Sequence, residues 1–104
     1  MTTAIVTEGH LEIRPAEHTV LLNGVPLMLT VRELALLTKL ASHRDRVLTR
    51  EELYRAVWGG ELRDSDRSVD VYVSRLRSKL AAIVPGKPFI HTHFGIGYRF
   101  SPGA

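Results

Sequence analysis

The segment from Asp66 to Ile83 constrains the fold of this 104-residue chain most strongly, because its apolar residues recur at a regular spacing. They follow one another at intervals of four, three and four residues: Val69, Val73, Leu76 and Leu80. This spacing places all four side chains on one side of an α-helix. The segment is therefore predicted to be a helix that buries this side and ends before a Pro-Gly pair at 85–86.

The opposite side of this predicted helix is basic and polar. It carries Ser68, Val71, Tyr72, Arg75 and Lys79, flanked by Arg67, Ser74 and Arg77. Such a surface suits the major groove of DNA, where arginine binds guanine bidentately and a valine methyl contacts the thymine methyl. Hydroxyl groups and further arginines hold phosphates. An ordinary solvated helix face carries many of the same residue types, so this helix alone leaves both interpretations open.

Strands are predicted at both ends of the chain. Residues 11–14 alternate apolar and polar side chains, and an Asn-Gly pair at 23–24 separates two apolar runs, 18–22 and 25–29. An Asn-Gly pair in this setting is a strong short-range indication of a β-hairpin, because both residues tolerate positive φ. The last stretch, 89–100, is predicted to form two strands around a glycine-containing loop.

Two further helices are predicted between these strands. Thr30 and Thr49 each stand three residues before a glutamate, Glu33 and Glu52, which is the capping-box pattern of a helix start. The first helix is expected to end near 42–46 and the second at the Gly-Gly pair 59–60, with a short apolar strand pair at 47–48 between them. Separate groups of strands and helices indicate an α+β domain.

Composition excludes several classes of protein. The chain has no cysteine, which excludes a disulfide scaffold and a thiolate metal site. No apolar run approaches the roughly 20 residues that span a bilayer, and the first ten residues lack the features of a signal peptide. Without a His-Glu-x-x-His, Gly-x-Ser-x-Gly or Walker-type motif, neither catalysis nor a cofactor is expected. The expected location is the cytoplasm.

The modest basic excess has a definite position in the sequence. The formal net charge is +3, and residues 67–79 hold four basic side chains and one acidic side chain, so the rest of the chain is neutral. The acidic residue, Asp70, would repel phosphate if it pointed at DNA. We expect it to pair with a neighbouring arginine and hold that side chain in place.

Three stretches resemble the OmpR/PhoB family of winged helix-turn-helix domains, the DNA-binding effector domains of bacterial response regulators: VWG at 57–59, DRSVDVYVSRLRSKL at 66–80 and GIGYRF at 95–100. The resemblance covers about residues 11–101. It implies an N-terminal antiparallel sheet, three helices and a C-terminal β-hairpin called the wing. The expected organisation is a lead-in at 1–9, the winged-helix domain at 10–101 and a tail at 102–104.

The resemblance also implies a mode of DNA binding, with the third helix in the major groove and the wing at the adjacent groove. By implication Ser68, Val71 and Arg75 face bases. The residues expected to approach phosphates or make further contacts are Arg67, Tyr72, Ser74, Arg77, Lys79, Trp58, Thr92, Phe94 and Tyr98. Family members bind direct-repeat sites as head-to-tail dimers, and some contact RNA polymerase through the loop that corresponds to 59–65.

The sequence departs from the family pattern in three respects. Phe94 stands where the family often has an arginine able to enter the minor groove, which leaves it to pack on sugars, contact a partner or join the core. Ser74 also replaces a frequent arginine. Family members usually carry an N-terminal receiver domain, and residues 1–9 contain none, so the chain is expected to be an excised effector domain or an atypical stand-alone regulator.

The sequence also leaves room for an alternative function and raises the question of a metal site. A winged-helix protein-interaction module that no longer binds an operator is the alternative function, and the Phe94 substitution and the missing receiver motivate it. His91 and His93 would project from one strand face and offer two metal ligands. No third ligand with suitable spacing is evident, so a structural or phosphate-facing role is favoured and no metal site is predicted.

Overall fold

The computed structural model describes residues 11–101, so the predicted lead-in at 1–9 and tail at 102–104 lie outside the described residues. The chain begins with an antiparallel sheet in the order β1-β2-β3. Its strands are β1 (Leu11–Arg14), β2 (Thr19–Leu22) and β3 (Val25–Pro26), with a short 3-10 turn at Pro15–Glu17 between the first two. The N-terminal sheet predicted from the sequence is therefore present.

Three helices and a second sheet follow. The helices are α1 (Val31–Ser42), α2 (Arg50–Trp58) and α3 (Ser68–Ile83). The strands of the second sheet are β4 (Val47–Thr49), which lies between α1 and α2, β5 (Ile90–His93) and β6 (Gly97–Phe100). The sheet has the order β4-β6-β5, so the C-terminal hairpin β5-β6, hereafter the wing, pairs with the short strand that leads into α2. This is the predicted α+β winged helix-turn-helix architecture.

The first hairpin turns at the predicted Asn-Gly pair. Asn23 and Gly24 have φ values of 53° and 77°, and the flanking residues Leu22 and Val25 face each other in the register. The third strand is shorter than the predicted run 25–29, because regular strand geometry covers only Val25–Pro26. One further backbone bond, from Leu27 to Val20, closes the pairing.

Both predicted capping boxes are present at the helix starts. The Thr30 side chain accepts a hydrogen bond from the backbone N–H of Glu33, whose carboxylate accepts from the N–H of Thr30. Thr49 and Glu52 make the same reciprocal pair at the start of α2. Each box satisfies donors that have no partner within the helix.

The third helix starts two residues later than the predicted Asp66. The carboxylate of Asp66 accepts hydrogen bonds from both the backbone N–H and the hydroxyl of Ser68, at 2.8 and 2.6 Å. Asp66 therefore fixes the entry to the helix from outside it. The predicted core side of α3 is correct, because it is buried against the other elements: Val69, Val73, Leu76 and Leu80.

Candidate nucleic-acid interface

The outward side of α3, together with the residue before it, presents four exposed residues among the predicted contacts. The Arg67 side chain is 77% exposed and Val71 is 43% exposed, and both Ser74 and Arg75 are exposed. Arg67, Val71, Ser74 and Arg75 also line one shallow depression on this surface. A guanidinium group, a small apolar group and a hydroxyl are thus available together on a helix whose other side is anchored in the core.

Aromatic rings support the exposed Arg75. Its guanidinium lies 5.0 Å from the ring centroid of Tyr72, and the rings of Tyr72 and Trp58 are nearly perpendicular at a centroid distance of 5.1 Å. Trp58 stacks on Tyr54 at 5.1 Å, and the guanidinium of Arg32 lies 5.5 Å from the Trp58 centroid. Stacking on a ring restricts an arginine to fewer conformations before it meets a ligand.

Asp70 is the centre of a polar cluster between α2, α3 and the wing. Its carboxylate accepts two hydrogen bonds from Arg50, at 2.9 and 3.2 Å, and one of 2.5 Å from the hydroxyl of Tyr98. Arg67, the neighbour in sequence, is 3.4 Å away. Burial opposes ionisation of Asp70, but the Tyr98 hydroxyl and the Arg50 guanidinium outweigh it, so the pKa of Asp70 is lowered. The negative charge is therefore compensated from within the protein.

Arg77 lies between α3 and the wing instead of extending into solvent. It donates two hydrogen bonds to the backbone carbonyl of Ile90, at 2.9 and 3.2 Å, and one to the hydroxyl of Thr92. Its guanidinium also lies 5.5 Å from the ring centroid of Tyr98. These contacts attach β5 to α3. The predicted phosphate contact of Arg77 stays a prediction, and the structure adds a positioning role.

Lys79 joins α3 to the start of α1. Its ammonium group lies 2.6 Å from a carboxylate oxygen of Glu33 and 2.8 Å from the backbone carbonyl oxygen of Met28. Glu33 is only 2% exposed, so this carboxylate is a buried acceptor. Burial opposes its ionisation, but Lys79 and the N–H of Thr30 outweigh that effect and lower the pKa of Glu33. The ammonium group of Lys79 is therefore paired with other groups of the protein.

The tip of the wing is apolar and projects into solvent. Phe94 is 91% exposed and Ile96 is 56% exposed, which excludes Phe94 from the core, one of the places the sequence left open. Gly95, between them, has a φ of 78° and forms the turn. Behind the tip, β6 packs closely against β4. A Cβ atom on Gly97 would overlap the backbone carbonyl of Leu48 on β4.

The structure divides the predicted contact residues into three groups. The exposed group is Arg67, Val71, Ser74, Arg75 and Phe94. The half-buried group is Trp58, Ser68 and Tyr72. The remaining four are tied to other elements by their side chains: Arg77, Lys79, Thr92 and Tyr98. Base or phosphate contacts remain predictions for all of them.

Sequence reasoning missed two arginines at this surface, Arg50 and Arg32. A lone acid in a basic helix indicated that Asp70 needs a cation, but its main partner, Arg50, is 20 residues away in the sequence and is brought close by the packing of α2 on α3. Nothing in the sequence singled out Arg32. Its position over Trp58 follows from the packing of α1 against α2.

Two further features of residues 11–101 are the environment of His93 and the hydropathy of the helices. His93 accepts a 3.1 Å hydrogen bond from Arg99, and no group of three or more potential metal ligands occurs within this range. None of the helices in the same range is long and apolar enough to cross a bilayer.

Comparison with known proteins identifies the family. Residues 24–100 match the family model described as "Transcriptional regulatory protein, C terminal". The phosphate regulon transcriptional regulatory protein PhoB of Pseudomonas aeruginosa is 36% identical over 98 residues, which are 94% of this chain and 42% of PhoB. The chain spans less than half the length of the curated relatives it matches.

Solved structures agree with this match. The DNA-binding domain of CpxR from E. coli superposes with a TM-score of 0.88 at 32% identity, over 98% of this chain and 100% of that chain. The Klebsiella pneumoniae RstA DNA-binding domain, solved in complex with the RstA box, gives 0.84 at 33% identity, over 94% and 97%. The chain belongs to the family of C-terminal domains of transcriptional regulatory proteins and has the winged-helix fold of the OmpR/PhoB type.

Proposed function

We propose that this domain binds double-stranded DNA sequence-specifically, as the effector domain of a bacterial transcription regulator of the two-component type. The observation that carries the proposal is the outward side of α3, where Arg67, Val71 and Arg75 are exposed together. The acid on the same helix, Asp70, is bound by Arg50 of α2 in addition to Arg67, so a cation from outside the helix shares its charge. The relative RstA, solved in complex with its box, supports the same ligand for this chain.

The proposed mechanism assigns base reading to the N-terminal half of α3. Arg75, held over the Tyr72 ring, is placed to bind guanine O6 and N7, and Val71 to contact a thymine methyl, with Ser68 beside them. Arg67, Ser74, Tyr72 and Trp58 would approach phosphates and set the register. α3 would lie in the major groove and the wing against the adjacent groove.

The residues that face other elements have a supporting part in this proposal. Arg77 and Thr92 hold β5 against α3, and Tyr98 holds β6 against Asp70. Lys79 fixes the far end of the reading helix on α1. A reading helix and a wing that are rigidly joined before binding lose less conformational freedom on meeting DNA.

The proposal also implies further partners besides one stretch of DNA. A single helix reads only a few base pairs, so tandem binding of two copies to a direct repeat would supply the needed specificity. The loop 59–65 would be available to RNA polymerase. A receiver domain would be a further partner if this domain is part of a longer chain. The site of action would be the cytoplasm.

The salt dependence of binding to a random duplex tests the proposal. Contacts with about four to six phosphates predict a log–log slope near −0.9 per phosphate. A selection from random duplexes should then return a preferred sequence. Binding that is independent of salt, with no sequence selected, would instead support the protein-interaction module, which the exposed Phe94 favours.

A further inference from the structure

Two large apolar side chains at the tip of the wing are exposed to solvent instead of packed in the core. Phe94 and Ile96 are 91% and 56% exposed, whereas the strands behind them are anchored by Thr92, Gly97 and Tyr98. Paired exposed apolar side chains on a fixed projection mark a contact with a ligand or partner.

The tip lies across a cleft from the first turn of α3. The cleft has a volume of about 430 Å³, and Phe94, Ile96, Arg50 and Arg67 are among the residues that line it. Glu51 and Asp70 also line it, and Asp70 is bound to Arg50. One side of the cleft is therefore apolar, and the other side carries two carboxylates and two guanidinium groups. Of the two arginines, Arg67 is the more accessible: its side chain is 77% exposed, and its guanidinium lies 3.4 Å from Asp70.

A strand of the DNA backbone has the matching chemistry, because each nucleotide joins an anionic phosphate to a sugar with apolar faces. The inference rests on the proposed function, in which α3 occupies the major groove. A projection on the far side of one backbone strand from the major groove lies at the minor groove. Proteins that bind there frequently insert apolar side chains between base steps and partly unstack them.

We propose that the cleft between α3 and the wing holds one sugar–phosphate strand, with Phe94 and Ile96 as an apolar wedge in the minor groove. Arg67 contacts the phosphate on the major-groove side of the strand. The wedge favours flexible pyrimidine–purine steps beside the sequence that α3 reads, because these steps unstack most easily. The wing then contributes to affinity and sequence preference without a charge at its tip.

The experiment uses the 104-residue chain and a duplex that carries one selected half-site, so that two copies cannot contact each other. Affinity is measured for the wild type and for Phe94→Ala at several salt concentrations. An apolar contact releases no counterions, so we expect Phe94→Ala to bind roughly tenfold more weakly at every salt concentration with an unchanged salt slope. Phe94→Arg should steepen the slope by about 0.9.

Met28→Ala is the matched control, because Met28 is 81% exposed and is not among the residues that line the cleft. It should bind the half-site like the wild type. Duplexes with 2-aminopurine at successive flanking positions add a second measurement. Its fluorescence should rise on binding at one step beside the half-site, and this rise should be absent with Phe94→Ala.

The outcomes separate this inference from the proposed function. If the wild type binds the half-site and Phe94→Ala binds it equally well with the same fluorescence, the wedge is refuted while DNA binding stands. If Phe94→Ala weakens binding only on a duplex with two half-sites, Phe94 contacts a second copy and the wedge is also refuted. If the wild type binds no duplex, the proposed function itself fails.

Discussion

The hydroxyl of Tyr98 donates a 2.5 Å hydrogen bond to the carboxylate of Asp70. This bond joins the returning strand of the wing to the helix that carries the exposed arginines. Arg50 of α2 binds the other oxygen of the same carboxylate at 2.9 Å. One side chain thus connects α2, α3 and β6 and helps to hold α3 and the wing in their relative orientation.

Removing the Tyr98 hydroxyl should destabilise the fold. Tyr98→Phe deletes a hydrogen bond to a charged acceptor, and we expect the free energy of unfolding to fall by about 1–3 kcal/mol at pH 7. Tyr54→Phe is the control, because the Tyr54 hydroxyl makes no hydrogen bond within residues 11–101 and its ring stacks on Trp58. Urea unfolding of both variants checks the prediction, and equal stabilities would contradict it.

The same tyrosine should make stability depend on alkaline pH. Burial, together with the Asp70 carboxylate, raises the pKa of Tyr98 to about 12. An unfolded chain loses this proton near pH 10, so between about pH 10 and pH 12 deprotonation favours unfolding. We expect the wild type to lose stability in this window relative to Tyr98→Phe. A stability difference between the two that stays constant from pH 8 to pH 12 would show that the phenol titrates normally.

Two glycines of the wing should respond differently to alanine. A Cβ atom at Gly97 would overlap the backbone carbonyl of Leu48, so Gly97→Ala must displace β6 from β4 at a cost above about 3 kcal/mol. Gly95 has open space but a φ of 78°, so Gly95→Ala should cost only about 1–2 kcal/mol. Thermal unfolding ranks the variants, and a Gly95→Ala protein less stable than Gly97→Ala would overturn the explanation.

Threonine-to-valine exchange should have opposite effects at two positions. Thr49→Val removes the acceptor for the N–H of Glu52 and should cost about 1 kcal/mol. The hydroxyl of Thr38 is buried, and in the described part of the chain it has no hydrogen-bond partner. Thr38→Val should therefore be neutral or stabilising by up to about 1 kcal/mol, since threonine and valine have similar helix propensities. A loss of stability at Thr38 equal to that at Thr49 would be inconsistent with this assignment.

Local patterns in the sequence predicted the elements, and non-local contacts decided the finer parts of the site. The capping boxes at Thr30 and Thr49 were predictable because both partners lie within one helical turn. The roles of Arg77 and Lys79 were not, because helical spacing gives a residue's angular position and not the elements that pack beside it. Their partners, Ile90 and Glu33, are 13 and 46 residues away.

In the wing, too, the sequence predicted the local element but not its surroundings. The sequence predicted the hairpin and left three places for Phe94, and only the packing of the strands excluded the core. The charge excess of residues 67–79 is also less accessible than the sequence suggested. Lys79 is paired with buried Glu33, and Arg77 is bound to β5. The accessible positive charge of this helix is carried by Arg67 and Arg75.

The most direct test of the central claim is the affinity of Arg75→Ala for its selected duplex compared with a random duplex. If the exposed side of α3 reads bases, the variant should lose about 1–3 kcal/mol on the selected duplex and much less on the random one. Arg67→Ala should weaken binding to both about equally. A uniform loss for Arg75→Ala, or no loss at all, would contradict base reading by this helix.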